Sequence, residues 1–172
     1  VNIQLSICFF LVFISYSSPT TGLIVPHSSV LAYLGNPLDR CANQRSDEDW
    51  LTRLLHQPST RHIHMSGDKT FISDGKLQTF PRANTPECIL LGVDADGMGW
   101  FASPAQTKEN LMDLRSLAVA GVLPQGELAI LAQARSLLHW HERHGFCANC
   151  GVKTDMRDAG YRRHCAACAT DH

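Results

Sequence analysis

Apolar positions fall into a helical rhythm at Trp50, Leu51, Leu54 and Leu55, which share one face at 3.6 residues per turn. Ser46 ahead of them is a good N-cap, Asp47, Glu48 and Asp49 place acids where the helix dipole favours them, and Pro58 closes the run. A short amphipathic helix is predicted over 47–56. The period then drops to two. Residues 61–66 alternate, and 69–73 and 76–80 flank Asp74-Gly75, a dipeptide suited to the positive φ angles of a tight hairpin. Cys88 to Asp94 is a buried strand, and Asp96-Gly97 turns the chain into 98–102, with Trp100 and Phe101 on opposite faces. The middle of the chain is therefore expected to form an antiparallel sheet.

Beyond Pro104 the rhythm turns helical again. Residues 110–120 read as a loop and helix that connect the sheet to a longer helical stretch. The strongest helix is predicted from Gly126 to His144, where Leu128, Leu131, Ala134, Leu138 and His141 recur at three and four residues. His139, His141, Arg143 and His144 suit the negative end of its dipole, and Gly145 is a ready C′ residue. No low-complexity linker separates this helix from the C-terminal segment, which should therefore be held rigidly against the first domain.

Composition bounds the class. The 172 residues suffice for one ordinary domain and a small module, and 44% hydrophobic against 18% charged residues is a globular balance. A net charge of -1 gives no global field for gripping nucleic acid, so any such binding needs a local patch. The run Ile7 to Tyr16 is too short for a membrane-spanning helix, which needs about 20 residues. It has the length of a signal-peptide core, yet no Lys or Arg precedes it and no A-x-A site comes after it. A misassigned start competes, because the chain opens on Val1 and its first methionine is Met65. Residues 1–22 are left unassigned between those readings.

Chemistry concentrates at the C-terminus. Cys147 and Cys150 form one C-x-x-C pair, Cys165 and Cys168 another, and the fourteen residues between Cys150 and Cys165 leave room for two short strands and a turn near 157–160. Zn²⁺ takes four soft ligands in a tetrahedron, and two such pairs supply two each, with Gly151 letting the backbone curl around the first. A redox dithiol would place a single C-x-x-C at a strand-to-helix junction. Four thiolates also close the coordination sphere, which makes the zinc structural rather than catalytic. Paired thiols with metal spacing point to a reducing, cytoplasmic compartment. Cys8, Cys41 and Cys88 stand apart.

Other polar groups admit a plainer account. His139, His141, His144, His164 and His172 are available as ligands or acid–base groups, but helix capping and surface solvation account for such residues. Lys153, Arg157, Arg162 and Arg163 make a basic stripe over the ribbon that is either solvated surface or a contact for phosphate. The sequence contains no Walker loop, G-x-G-x-x-G, G-x-S-x-G or H-E-x-x-H, and no acidic R-E-x-x-E-E helix of the kind that binds Mg²⁺ in Nudix hydrolases.

The runs Leu137-Leu138-His139-Trp140-His141, His144 to Gly151 and Gly160 to Cys165 resemble the zinc ribbon of the NADH pyrophosphatases, a branch of the Nudix superfamily. Gly35-Asn36-Pro37-Leu38-Asp39-Arg40 and the helix around Trp50 are similar to that family's N-terminal domain, so the resemblance covers 31–172. It implies an α+β fold, with an antiparallel-sheet N-terminal domain and flanking helices over 23–145 and a zinc ribbon over 146–172. In the family a catalytic Nudix domain comes next, whose glutamates hold Mg²⁺ or Mn²⁺ and which hydrolyses the NAD(H) pyrophosphate to NMN(H) and AMP. The resemblance carries over the zinc ligands Cys147, Cys150, Cys165 and Cys168 and no catalytic residue, so the expectation is a truncated, non-catalytic portion of a longer, homodimeric parent. Two other classes compete: a nucleic-acid-binding ribbon using Arg157, Arg162 and Arg163, and a secreted or tethered protein resting on 7–16. Trp140, Leu138 and Phe146, at the junction of helix and ribbon, are the expected contact surface for a missing partner.

Overall fold

A computed structural model describes residues 32–81, 88–107 and 109–172. The apolar run 7–16 and Cys8 lie outside the described residues. The elements run in the order α1 (Glu48–Leu55), β1 (Arg61–Ser66), β2 (Lys69–Ser73), β3 (Lys76–Leu77), β4 (Ile89–Val93), β5 (Gly99–Pro104), β6 (Leu111–Asp113), α2 (Leu114–Ala120) and α3 (Gln125–Arg143). The C-terminal module adds β7 (Asp155–Arg157), a 3-10 turn over Asp158–Gly160, and β8 (Arg162–His164). The fold is α+β, as the patterning predicts.

The six-stranded sheet runs β3-β2-β1-β5-β4, with β6 also paired to β2. Its pairs are antiparallel except one: β1 lies parallel to β5, with Ile63 opposite Ala102. Hairpin signals in a sequence report only on neighbours, whereas β1 and β5 meet across a connection of more than thirty residues. The predicted strand 76–80 stops at Leu77, and Phe80 instead crosses to bridge His62 on β1. Within 110–120, expected as loop and helix, Leu111–Asp113 is a strand along β2.

Each face of the sheet is covered differently. On one, Ile63, Met65, Leu91, Trp100 and Ala102 pack against Leu114 and Leu117 of α2 and Leu128, Ile130, Leu131 and Ala134 of α3. On the other, Leu90 and Phe101 pack under Leu54 of α1 together with Cys41 and Ala159. Trp100 and Phe101 thus point to opposite cores, as alternation requires. Each fully buried Leu or Phe contributes roughly 1.5–3 kcal/mol relative to leaving it in water. Helix α1 presents its predicted face, with Leu54 buried and Trp50, Leu51 and Leu55 half-buried beside it. Its N-cap is Asp47, not Ser46: the Asp47 carboxylate accepts the Trp50 backbone N–H at 2.8 Å.

The turn between β4 and β5 is tied by one carboxylate. Asp94 accepts the Trp100 indole N–H at 3.0 Å and the backbone N–H groups of Asp96 and Met98 at 3.1 and 3.0 Å. Burial pushes its carboxyl up, but these donors and the Arg61 charge pull harder and hold it below the usual carboxylate range. The folded-state pKa therefore lies below the unfolded one, so the contribution is present above the unfolded value and is lost as pH falls through the folded value. Asp94→Ala is expected to cost about 1–2 kcal/mol at neutral pH, a modest figure because the group is half exposed, and the gap to wild type should narrow on acidification. Urea melts of both proteins across that range check the sign.

Candidate metal centre

The last turns of α3 deliver the chain into the ribbon. His144 is the C-cap, its N–H donating to Trp140 O, and Thr154 returns to the same point, donating its N–H to Gly145 O and its hydroxyl to His144 O. Gly145 occupies the C′ position without adopting the left-handed conformation expected there.

Both knuckles are built alike. In the first, Cys147 N–H donates to Val152 O at 2.7 Å, Gly151 N–H donates to Cys147 O at 2.8 Å, and Gly151 takes a φ of 76°. In the second, Cys165 N–H donates to Thr170 O at 2.9 Å, and the corresponding position is Ala169, with a φ of 55°. A Cβ is strained in that region, so Ala169→Gly is expected to raise the melting temperature of the metal-loaded chain, by about 0.5–1 kcal/mol in stability. The strands β7 and β8 pair between the knuckles, with Met156 opposite Arg163.

This architecture brings four sulfurs together. Cys147 Sγ lies 3.5 Å from Cys168 Sγ, Cys150 Sγ lies 3.5 Å from Cys165 Sγ, and all four fall within 4.8 Å of one another. A tetrahedral Zn²⁺ with bonds of about 2.3 Å sets its sulfurs about 3.8 Å apart, so the cluster has the dimensions of that site. The crowded thiols also perturb one another. The Thr170 hydroxyl and the Asn149 side chain pull the Cys168 thiol down to about 5. The Val152 backbone pulls on Cys150, yet the thiols of Cys165, Cys168 and Cys147 push it up to about 12. Thiols this close oppose one another's ionisation, and a divalent ion is what lets such a set ionise together.

The turn between the knuckles docks on the first domain. Ala159 and Gly160 are buried, and the Tyr161 hydroxyl accepts the Gln133 side-chain N–H at 2.7 Å. The Arg45 guanidinium lies 3.4 Å above the Tyr161 ring. The ribbon is thus seated on the sheet domain, as the missing linker predicts.

Residues 142–172 match the NADH pyrophosphatase zinc ribbon domain, and residues 53–140, just over half of the chain, match the NADH pyrophosphatase-like rudimentary NUDIX domain. The chain belongs to the NADH pyrophosphatase family. The NAD-capped RNA hydrolase NUDT12 of Homo sapiens is 28% identical over 177 residues, which cover 74% of this chain and 38% of that protein. The same enzyme of Macaca fascicularis matches at 28% with the same shares. Nudix hydrolase 19, chloroplastic, of Arabidopsis thaliana is 34% identical over 84 residues, 46% of this chain and 19% of its own length. The chain therefore spans well under half of the curated relatives it matches.

Within this NADH pyrophosphatase-type ribbon the histidines take supporting places. His144 Nδ1 bonds Trp140 O at 2.9 Å, His139 pairs with Glu142, and His164 Nδ1 lies 2.6 Å from Asp171. His172 Nε2 approaches Cys147 Sγ at 3.3 Å. His141 is fixed between two groups. Arg163 can only donate to its Nδ1, at 2.7 Å, so the ring proton sits on Nε2 and is given to Gly160 O at 2.7 Å.

The basic stripe loses one of its four members to the interior. Arg163 is buried, its guanidinium donating to Thr154 Oγ1 at 2.7 Å and to Thr154 O at 2.8 Å as well as to His141. Arg162 is engaged by Asp158 and Asp171, each at 3.0 Å. Only Lys153 and Arg157 of the four stay exposed without a described ion pair. The expected junction surface also divides. Phe146 is 70% exposed, but Leu138 packs half-buried on the core and Trp140 packs against His141 and His144. Val152, 47% exposed, is the apolar neighbour across the first knuckle that the sequence pattern did not reveal.

Proposed function

We propose that this chain is the non-catalytic, zinc-stabilised portion of a NAD(H) diphosphatase-like Nudix hydrolase, in which a Nudix domain cleaves the pyrophosphate. The observation that carries the reading is the order of the two parts: a rudimentary Nudix fold runs straight into a four-cysteine cluster of zinc dimensions, and the family's two domains match in that order. Structural zinc is held by Cys147, Cys150, Cys165 and Cys168, and the first domain extends over 23–145 with the ribbon over 146–172. The relatives named as NAD-capped RNA hydrolases support NAD, free or as an RNA cap, as the substrate class of the whole protein. Mg²⁺ or Mn²⁺ serves the catalytic domain, and the protein works in the cytoplasm as a homodimer. The exposed Phe146 and Val152 suit a subunit or domain contact.

Five carboxylates of this chain have structural partners, which supports a scaffolding role. Asp47 and Asp113 cap helices, Asp94 ties a turn, and Asp158 and Asp171 hold Arg162. Phosphoryl chemistry in this family needs carboxylates gathered around divalent metal. The 172-residue chain incubated with NADH and Mg²⁺ or Mn²⁺ is therefore expected to release no NMNH or AMP. Product formed by a preparation free of other hydrolases overturns the assignment. The burial of Arg163 takes one of the three arginines out of the rival nucleic-acid patch, and a steep salt-dependent affinity for RNA would favour that rival.

A further inference from the structure

The turn that joins the two knuckles is also part of the first domain's core. Ala159 sits with Cys41, Leu54, Leu90 and Phe101 in the cluster that covers one face of the sheet. Gly160 presses directly on β4: a Cβ there would stand 2.7 Å from Ile89 Cγ2, and its φ of 97° excludes most side chains independently. Around this contact the ties are polar and specific, from Gln133 and Arg45 to Tyr161 and from His141 to the Gly160 carbonyl.

The turn does not hold this shape by itself. Asp158, Ala159 and Gly160 have three consecutive positive φ angles, an arrangement that costs free energy in an isolated chain. The strands on either side have three residues each, and a hairpin that short is not stable in water alone. What fixes both strand ends is the pair of knuckles, Cys147–Cys150 before and Cys165–Cys168 after.

We infer that the segment 158–161 is a metal-seated plug: zinc binding holds it against the sheet, and zinc loss lifts it and uncovers the core face around Cys41. This deepens the zinc-ribbon reading and rests on it. Cys41 is a suitable reporter because it is 9% exposed, outside any disulfide, and donates to the Asp39 carbonyl at 3.3 Å. Burial and the Asp39 carboxylate push its thiol up, which slows its reaction while the plug is seated.

The test alkylates the full chain with an excess of a small thiol reagent, before and after removal of zinc by a chelator, and quantifies each cysteine by peptide mass. Metal content and amide exchange are measured on the same samples. The expected result is at least a tenfold rise in the Cys41 rate after zinc removal, while the amides of 61–66 and 99–103 stay protected. Gly160→Val should keep one zinc per chain and show the fast Cys41 rate with the metal bound; Tyr161→Ala is the milder variant if that protein is poorly folded. An unchanged Cys41 rate in the metal-free chain or in both metal-loaded variants overturns the plug. So does loss of protection throughout 61–66 and 99–103, which would make the metal a support for the whole sheet. A chain that carries no zinc from the start rejects the site itself, an outcome distinct from a protected Cys41.

Discussion

Cys150→Ser is expected to abolish zinc binding and to unfold residues 146–172. The ribbon has very little apolar interior of its own. Apart from Cys147 and Cys165, its buried residues are Thr154, Ala159, Gly160 and Arg163, and two of these face the first domain rather than each other. Metal binding of the order of 10 kcal/mol therefore supplies the folding free energy. Serine offers a hard oxygen where a soft thiolate is needed, and Cys150 is the exposed ligand, so its replacement creates no cavity to confuse the result. Metal analysis should fall from one zinc per chain to none, and limited proteolysis should cut within 146–172. Strands β1 and β5 should survive, since α2 and α3 cover their other face without the ribbon. A metal-free C-terminus that still resists protease contradicts this.

Arg163→Ala is the second large effect, expected to destabilise the chain by about 2–4 kcal/mol. Its guanidinium satisfies Thr154 twice and His141 once, so truncation strands two buried acceptors of Thr154 and removes the tie to the half-buried His141 ring at the seam between helix and ribbon. For a chain of this size that corresponds to a fall in melting temperature of roughly 5–15 °C. Arg163→Lys keeps the charge without the planar fork and should recover less than half of the loss. A solvated surface arginine would instead shift stability by no more than about 0.5 kcal/mol, so a calorimetric scan separates the buried tie from the basic stripe.

These two residues show what the sequence could and could not reveal. The cysteine pairs were legible because a local spacing is the geometry of the site: each C-x-x-C turn is closed by its own backbone bonds, Gly151 to Cys147 and Cys165 to Thr170. Helix α1, the hairpin at Asp74-Gly75 and the long helix α3 were legible for the same reason, since periodicity and turn chemistry are local. Arg163 was not, because its partner His141 lies twenty-two residues away and a charged residue beside Arg162 looks solvated. The signal available was the period of two in β8, which turns Arg163 inward if Arg162 faces the aspartates. The parallel pairing of β1 with β5 left no local trace, and neither did the role of Ala159-Gly160, whose small side chains read only as a turn. Ser46 and Asp47 are both capable N-caps, and the choice fell to whichever carboxylate or hydroxyl reached the Trp50 N–H.

The interior of the metal centre is open to direct measurement by X-ray absorption at the zinc edge of the purified chain. One zinc per chain is expected, surrounded by four sulfurs at about 2.3 Å with no lighter atom bound to it. A shell of three sulfurs and one nitrogen, as if His172 beside Cys147 had replaced a thiolate, or a chain that takes up no zinc, would contradict it.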